Sequence, residues 1–260
     1  MKSTMSWNLV AVVPAHNEAD RVAACVRSLL HAVDYASGRI ARCCLVVVAD
    51  KCTDATAEIA RQAIAETAKG RSNRASGPIA SAHVIEIDSG NVGNARALGV
   101  ATAQRRLGPV DPARTWIANT DADTCVPSSW ITEQLRWADD GIAAVAGVVT
   151  VDSFGEHPPI VAERFHARYT ALLPDESLDH PHVHGANLGV RLDAYLNAGG
   201  WHRLDLSEDH DLWNRLRADD LVIRSPSSLR VTTSGRAVSR CPGGFADGLC
   251  ADRMIEEVTA

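Results

Sequence analysis

The sequence predicts an α/β protein: one domain built on a mostly parallel, twisted sheet flanked by helices. Three observations lead there. Short β-branched runs alternate with helically spaced apolar residues in a βαβαβαβ order between Leu9 and Asp123. The residues with chemistry to offer stand just after the apolar runs, at the carboxyl ends of strands, where open parallel sheets bind ligands. With 260 residues, 46% of them hydrophobic, the chain has material for one large core, and no repeat or low-complexity linker divides it.

A first strand is predicted over Leu9–Val13 and a first helix over Glu18–Tyr35, in which Val22, Cys25, Val26, Leu29, Leu30 and Val33 recur at helical spacing. A strand over Cys43–Val48 and a helix over Asp54–Ala68 follow, and residues 70–78 read as an exposed polar loop. The third strand is Ala82–Ile87 and the third helix Asn94–Leu107, after a glycine-bearing turn. An apolar strand through Trp116-Ile117-Ala118 then runs into two aspartates. Beyond it come a helix from Pro127 to Trp137, one strand over Ala143–Val151 and a helix over Pro158–Leu173. A His- and Pro-rich loop leads to helices Asp193–Ala198 and Ser207–Ala218 and weak strands Leu221–Arg224 and Leu229–Thr232. The glycine-bearing tail from Thr233 to Phe245 carries little apolar surface and is expected to be mobile until a ligand folds it down.

The formal net charge of −6 and the absence of a Lys/Arg block exclude nucleic acid as the main partner. Seven cysteines, several in apolar runs and none in a Cys-x-x-Cys pair, suit buried thiols in a reducing compartment. The first residues lead directly into a strand and no apolar run is long enough for a bilayer, so a cytoplasmic protein without a transmembrane segment is expected. Neither Gly-x-Gly-x-x-Gly nor a Gly-Lys-Ser/Thr loop is present, which disfavours nicotinamide and P-loop chemistry.

Four strand ends carry the candidate residues. Val13-Pro14-Ala15-His16-Asn17-Glu18 leaves the first strand, with Asn17 placed to cap the next helix. After the second strand, Asp50 can accept from a nucleobase N–H, while Thr53 or Asp54 is placed to cap. The turn Ser89-Gly90-Asn91-Val92-Gly93-Asn94-Ala95-Arg96 can bring backbone and Arg96 to a diphosphate, although an exposed helical Arg is equally compatible with no role. Asp121 and Asp123 flank Ala122, and extended backbone would send both to one side. Mg²⁺ or Mn²⁺ takes hard oxygen ligands, with one or two carboxylates and the rest water or phosphate. His180, His182 and His184 alternate, but no Cys or helix-spaced His pair accompanies them, so a loop at an acceptor pocket is favoured over zinc. Trp201 is read as core ahead of a sugar-stacking role.

Together these segments resemble the inverting family 2 glycosyltransferases, whose single GT-A (Rossmann-like) domain uses a Pro-Ala-x-Asn-Glu opening, an Asp after the second strand, a helix-borne Arg and an Asp-x-Asp motif. The resemblance covers nearly the whole chain, because Gly185-Ala186-Asn187-Leu188-Gly189-Val190-Arg191 and Ser207-Glu208-Asp209-His210-Asp211-Leu212 look like the family's acceptor-side and Glu-Asp motifs. It implies a metal-dependent enzyme that moves one sugar from a nucleoside diphosphate sugar to a hydroxyl acceptor of unidentified nature, with Mn²⁺ or Mg²⁺. By the same resemblance Pro14, His16, Glu18 and Asp50 line the base and ribose, with Arg96 nearby. Asp121 touches the ribose side, Asp123 holds the metal with Asp121 beside it, and Ala122 lies between them. Asp209 is the catalytic base, with Glu208 next to it. Residues 1–123 would form the nucleotide-sugar half of a domain spanning 1–260, and 124–260 the acceptor and catalytic half.

Ser207 followed by acidic residues is also how many helices begin, and a helix N-terminus keeps a carboxylate ionised. The sequence departs from the family pattern in having no His after His210 to serve as a further metal ligand, and it lacks the Gln-x-x-Arg-Trp motif of polymer synthases. Arg236 and Arg240 in the tail offer phosphate contacts instead. A sugar-1-phosphate nucleotidyltransferase, which would open with a Gly-rich phosphate turn, and a non-catalytic nucleotide-sugar-binding protein are the rival readings.

Overall fold

Strand β1 (Trp7–Ala15) is the axis of the molecule, pairing in parallel with β2 (Ile40–Asp50) on one side and β4 (Thr115–Asn119) on the other. The computed structural model describes residues 6–71, 79–173, 179–204, 206–219 and 221–239. Seven strands run in the order β3-β2-β1-β4-β7-β5-β8, where β3 is Ile79–Ile87, β5 Ala144–Ala146, β7 Leu188–Arg191 and β8 Ile223–Arg224. Only β7 runs against its neighbours.

The pleat divides each central strand between two cores. Leu9, Ala11 and Val13 join Cys43, Leu45 and Val47 on one face; Val10 and Val12 join Cys44, Val46 and Val48 on the other. Strands buried on both faces read as unbroken apolar runs, which is why these were visible in sequence. Helices α1 (Val22–Tyr35), α2 (Thr56–Arg71), α4 (Trp130–Asp139) and α5 (Pro159–Ala171) cover the first face. Helices α3 (Val92–Leu107), α6 (Leu192–Asn197) and α7 (Glu208–Ala218) cover the second. Among the described residues no helix is long and apolar enough to cross a membrane.

The expected strand Ala143–Val151 is two strands. After β5 the chain turns away as β6 (Val148–Val151), which pairs with β9 (Arg230–Thr233) in a separate two-stranded sheet. The break falls at Gly147, where a Cβ would lie 2.2 Å from Asn187 Nδ2 and 2.3 Å from the Leu229 carbonyl. Buried Asn187 fills that corner: its Nδ2 donates to Val148 O at 2.9 Å and Leu229 O at 3.0 Å, and its Oδ1 accepts from Trp130 Nε1 at 2.8 Å.

Helix α1 also starts later than expected. Glu18 O accepts from Arg21 N and Val22 N, so residues 18–21 form a turn. Asn17 is left-handed (φ 53°) and accepts from Thr53 N at 2.8 Å, joining two strand exits and capping no helix. Asp54 accepts from Thr56 N at the start of α2, as expected. Helix α2 continues to Arg71, and residues 72–78 of the expected loop lie outside the described residues.

Candidate functional site

The carboxyl ends of β1, β2 and β4 open into a cleft of about 1130 Å³, walled opposite by residues 183–186, the first turn of α7 and residues 233–236. Pro14 and Ala15 line it where β1 ends, and His16 Nδ1 lies 2.8 Å from Asp50 O. Asp50 is buried, and its carboxylate accepts from Ser89 N (2.7 Å), Gly90 N (2.9 Å) and Asn91 N (3.0 Å). It therefore organises the turn that feeds α3, where Asn91 caps by accepting from Asn94 N, and keeps one lone pair on Oδ2 for a ligand.

Arg96, one turn into α3, is enclosed rather than exposed, at 2%. Its Nη2 lies 2.6 Å from Asp121 Oδ1, its Nε 3.4 Å from Glu208 Oε1, and its guanidinium 5.2 Å from the centroid of the Trp201 ring. Trp201 is buried beneath it, which accords with its reading as core. Gly185 lets the guanidinium sit against the backbone, since a Cβ there would stand 2.3 Å from Arg96 Nη2 and would push it aside. Burial opposes the charge on Arg96, yet Asp121 and Glu208 hold its pKa above the ordinary value. Burial raises the Glu208 carboxyl against the pull of Arg96.

The two aspartates do not leave a strand by alternation. Strand β4 stops at Asn119, and Asp121–Thr124 is a turn closed by Thr124 N donating to Asp121 O. The turn sends the carboxylates to different partners, Asp121 to Arg96 and Asp123 to Arg236, with Ala122 buried between. Arg236 Nη2 also bonds Glu18 Oε1 at 2.6 Å.

The segment carrying Arg236 is held by hydrogen bonds, where the sequence offered only its lack of apolar surface; residues 240–245 of the tail expected to be mobile lie outside the described residues. Gly235 N donates to Asp152 Oδ1 and Ala237 N to Glu156 Oε2, both at 2.9 Å, and His157 Nε2 is 2.9 Å from Gly235 O. Polar partners from the β6–α5 connection take the place of the missing apolar surface. Arg240 lies outside the described residues.

Across the cleft, Asp209 Oδ2 accepts from Gly185 N at 2.8 Å, and Oδ1 from His210 N at 2.8 Å. Ser207 precedes α7 in the left-handed region (φ 59°) and makes no side-chain cap, so the helix start takes its acceptor from Asp209. The alternating histidines stack rather than converge: His182 lies on Tyr169 at 4.0 Å and 12°, with His184 5.9 Å beyond. Tyr169 Oη accepts from Val149 N and lies 3.0 Å from His184 Nε2, within hydrogen-bond distance; burial pushes that imidazole down to about 4. Among the described residues no three His, Cys, Asp or Glu side chains converge as a metal cage. Tyr169, delivered from α5, carried no local signal in sequence.

This sheet order, with one antiparallel strand and an acidic cleft at the strand ends, is the GT-A fold. The mannosyltransferase PcManGT from Pyrobaculum calidifontis, in complex with GDP-Man and Mn²⁺, shares it at a TM-score of 0.65 and 18% identity, over 96% of this chain and 61% of that one. S. aureus TarS matches at a TM-score of 0.59 and 15% identity, over 87% of this chain and 36% of that one. Glucosyl-3-phosphoglycerate synthase from Mycobacterium tuberculosis, in complex with Mn²⁺, UDP-Glc and phosphoglyceric acid, matches at 0.52 and 15% identity, over 96% and 79%. The chain thus spans about three fifths of PcManGT and about a third of TarS. None of the curated proteins matches it. The family model for glycosyl transferase family 2 matches residues 10–197, well over half of the chain. The chain belongs to glycosyl transferase family 2.

Proposed function

We propose that this protein transfers one sugar from a nucleoside diphosphate sugar to a hydroxyl acceptor with inversion, aided by Mn²⁺ or Mg²⁺. The carrying observation is the pairing within one cleft: Arg96 joins Asp121 to Glu208, Arg236 joins Asp123 to Glu18, and Asp209 lines the same cleft. Residues 1–123 form the donor half and 124–260 the acceptor half. Pro14, His16, Glu18 and Asp50 border the base and ribose, and Asp121 and Ala122 the ribose side. The donor atoms of Asp121 and Asp123 are hard oxygens, and the spot beside Asp123 already accommodates a guanidinium, so the residues suit a divalent cation completed by diphosphate oxygens.

When bound, that cation neutralises charge on the departing diphosphate. Arg236, and Arg240 from the tail, add hydrogen bonds to phosphate. Asp209, at the start of α7, takes the proton of the acceptor hydroxyl and is oriented by the Gly185 amide. Glu208 acts through Arg96 as a positioning residue. The pinned neutral His184 next to Asp209 borders the acceptor.

The test is release of nucleoside diphosphate from a panel of nucleotide sugars with Mn²⁺ and hydroxyl acceptors. Asp209→Asn is expected to bind donor normally in calorimetry while turnover falls by roughly a hundredfold or more. Normal turnover in this variant removes the base, and pyrophosphate release from nucleoside triphosphates would replace the reading with nucleotidyl transfer.

A further inference from the structure

Both aspartates of the Asp-Ala-Asp turn are neutralised by the chain's own guanidiniums. Arg96 takes Asp121, and Arg236 bridges Asp123 and Glu18, carboxylates only 16% and 7% exposed. Asp123 Oδ2 is held by Arg236, and Oδ1 by the Thr124 and Thr233 hydroxyls at 3.3 and 3.4 Å. A divalent ion arriving alone must therefore either share Asp123 with Arg236 or break the charge-assisted hydrogen bond between them, and in both cases it faces a guanidinium. A diphosphate changes this balance, because it offers Arg236 new acceptors as strong as those it gives up.

We propose that Arg236 is an internal counter-cation that makes metal binding conditional on diphosphate. It holds Glu18 and Asp123 in the free protein, then moves to the phosphates and frees Asp123 for the ion. The inference rests on the proposed function only in taking the ligand to be a nucleoside diphosphate. The move belongs to the side chain. Gly235 is packed so closely that a Cβ would stand 2.0 Å from Ser153 O, and hydrogen bonds at Gly235 and Ala237 hold the backbone on either side. The guanidinium at the end of its long stem can exchange partners over that fixed base. Metal and diphosphate then promote each other's binding, as linkage requires.

The test is Mn²⁺ binding to the full chain without nucleotide, read from the electron paramagnetic resonance of free Mn²⁺, in the wild type and in Arg236→Ala, Arg236→Gln and Arg236→Lys. Calorimetry with UDP and with GDP in the presence of Mn²⁺ follows. Arg236→Ala and Arg236→Gln are expected to bind Mn²⁺ alone about tenfold more tightly, within the range usual for coupled sites, and nucleotide with Mn²⁺ more weakly. Arg236→Lys, which keeps the charge, is expected to leave Mn²⁺ binding near the wild type. These opposite signs distinguish coupling from general loosening of the site. Unchanged or weaker binding of Mn²⁺ alone to the Ala and Gln variants overturns the proposal. Tighter Mn²⁺ binding in those variants, combined with no sugar transfer from any donor, would keep it and remove the proposed function.

Discussion

The Arg96 guanidinium and the Glu208 carboxylate, 112 residues apart in sequence, meet at 3.4 Å in the cleft. Through this contact and the Arg96–Asp121 pair at 2.6 Å, the turn after β4 and the first turn of α7 share one enclosed cation.

Arg96→Met is accordingly expected to destabilise the fold at pH 7.5 by about 3 kcal/mol. That is the low end for a broken buried pair, because Asp121 keeps 36% of its side chain exposed. Urea unfolding measures it. The loss should shrink as the pH falls, since burial raises the Glu208 carboxyl and a protonated carboxyl no longer needs a cationic partner.

Stability should also fall on acidification through the histidines. Burial pushes His180 and His184 down to about 4, whereas unfolded histidine titrates near 6.5. Between those values the unfolded chain binds protons that the folded one refuses, so each ring costs up to about 1.4 kcal/mol per pH unit as pH falls. Glu208 acts in the opposite sense, because its raised folded value makes it gain stability on acidification. Urea midpoints from pH 7.5 to 5 are expected to decline, and His184→Gln to flatten the decline. A level wild-type profile would contradict the buried, neutral His184.

Asn187→Ala strips three buried groups, Trp130 Nε1, Val148 O and Leu229 O, of their shared partner. The expected cost is about 3 kcal/mol or more, because unsatisfied buried groups forfeit their solvation. Gly147→Ala should be comparably severe, since its Cβ meets the Leu229 carbonyl as well as Asn187. Denaturant unfolding of the two single variants and the double decides it. A double variant no worse than the single ones is expected, as both damage the same corner.

Much of the framework was legible because it is written in local periodicity. Val10 and Val12 alternate with Leu9, Ala11 and Val13, and the positions in α1 that recur at helical spacing are those that became buried. The exceptions have a common cause. The strand at Ala143–Val151 reads as continuous apolar chain, and what divides it is the side chain of Asn187, 40 residues further on. Ser207 and Asn17 have cap chemistry, but both are held in left-handed conformations by packing between loops, where their side chains cannot serve as helix caps.

For the site, the sequence by itself determined the residue types at each strand end, because an open parallel sheet must present those ends together. It placed Pro14, Asp50, Arg96, Asp121 and Asp123 on what became one cleft, and the family resemblance added Asp209. Only the tertiary structure decided how they pair. Asp50 serves the α3 turn, Arg96 is enclosed, and Tyr169 fixes His184. Arg236 crosses 218 residues of chain to reach Glu18. Periodicity fixes which face a side chain takes within its own element. The partner it finds depends on which elements the whole core brings alongside, and no local pattern records that choice.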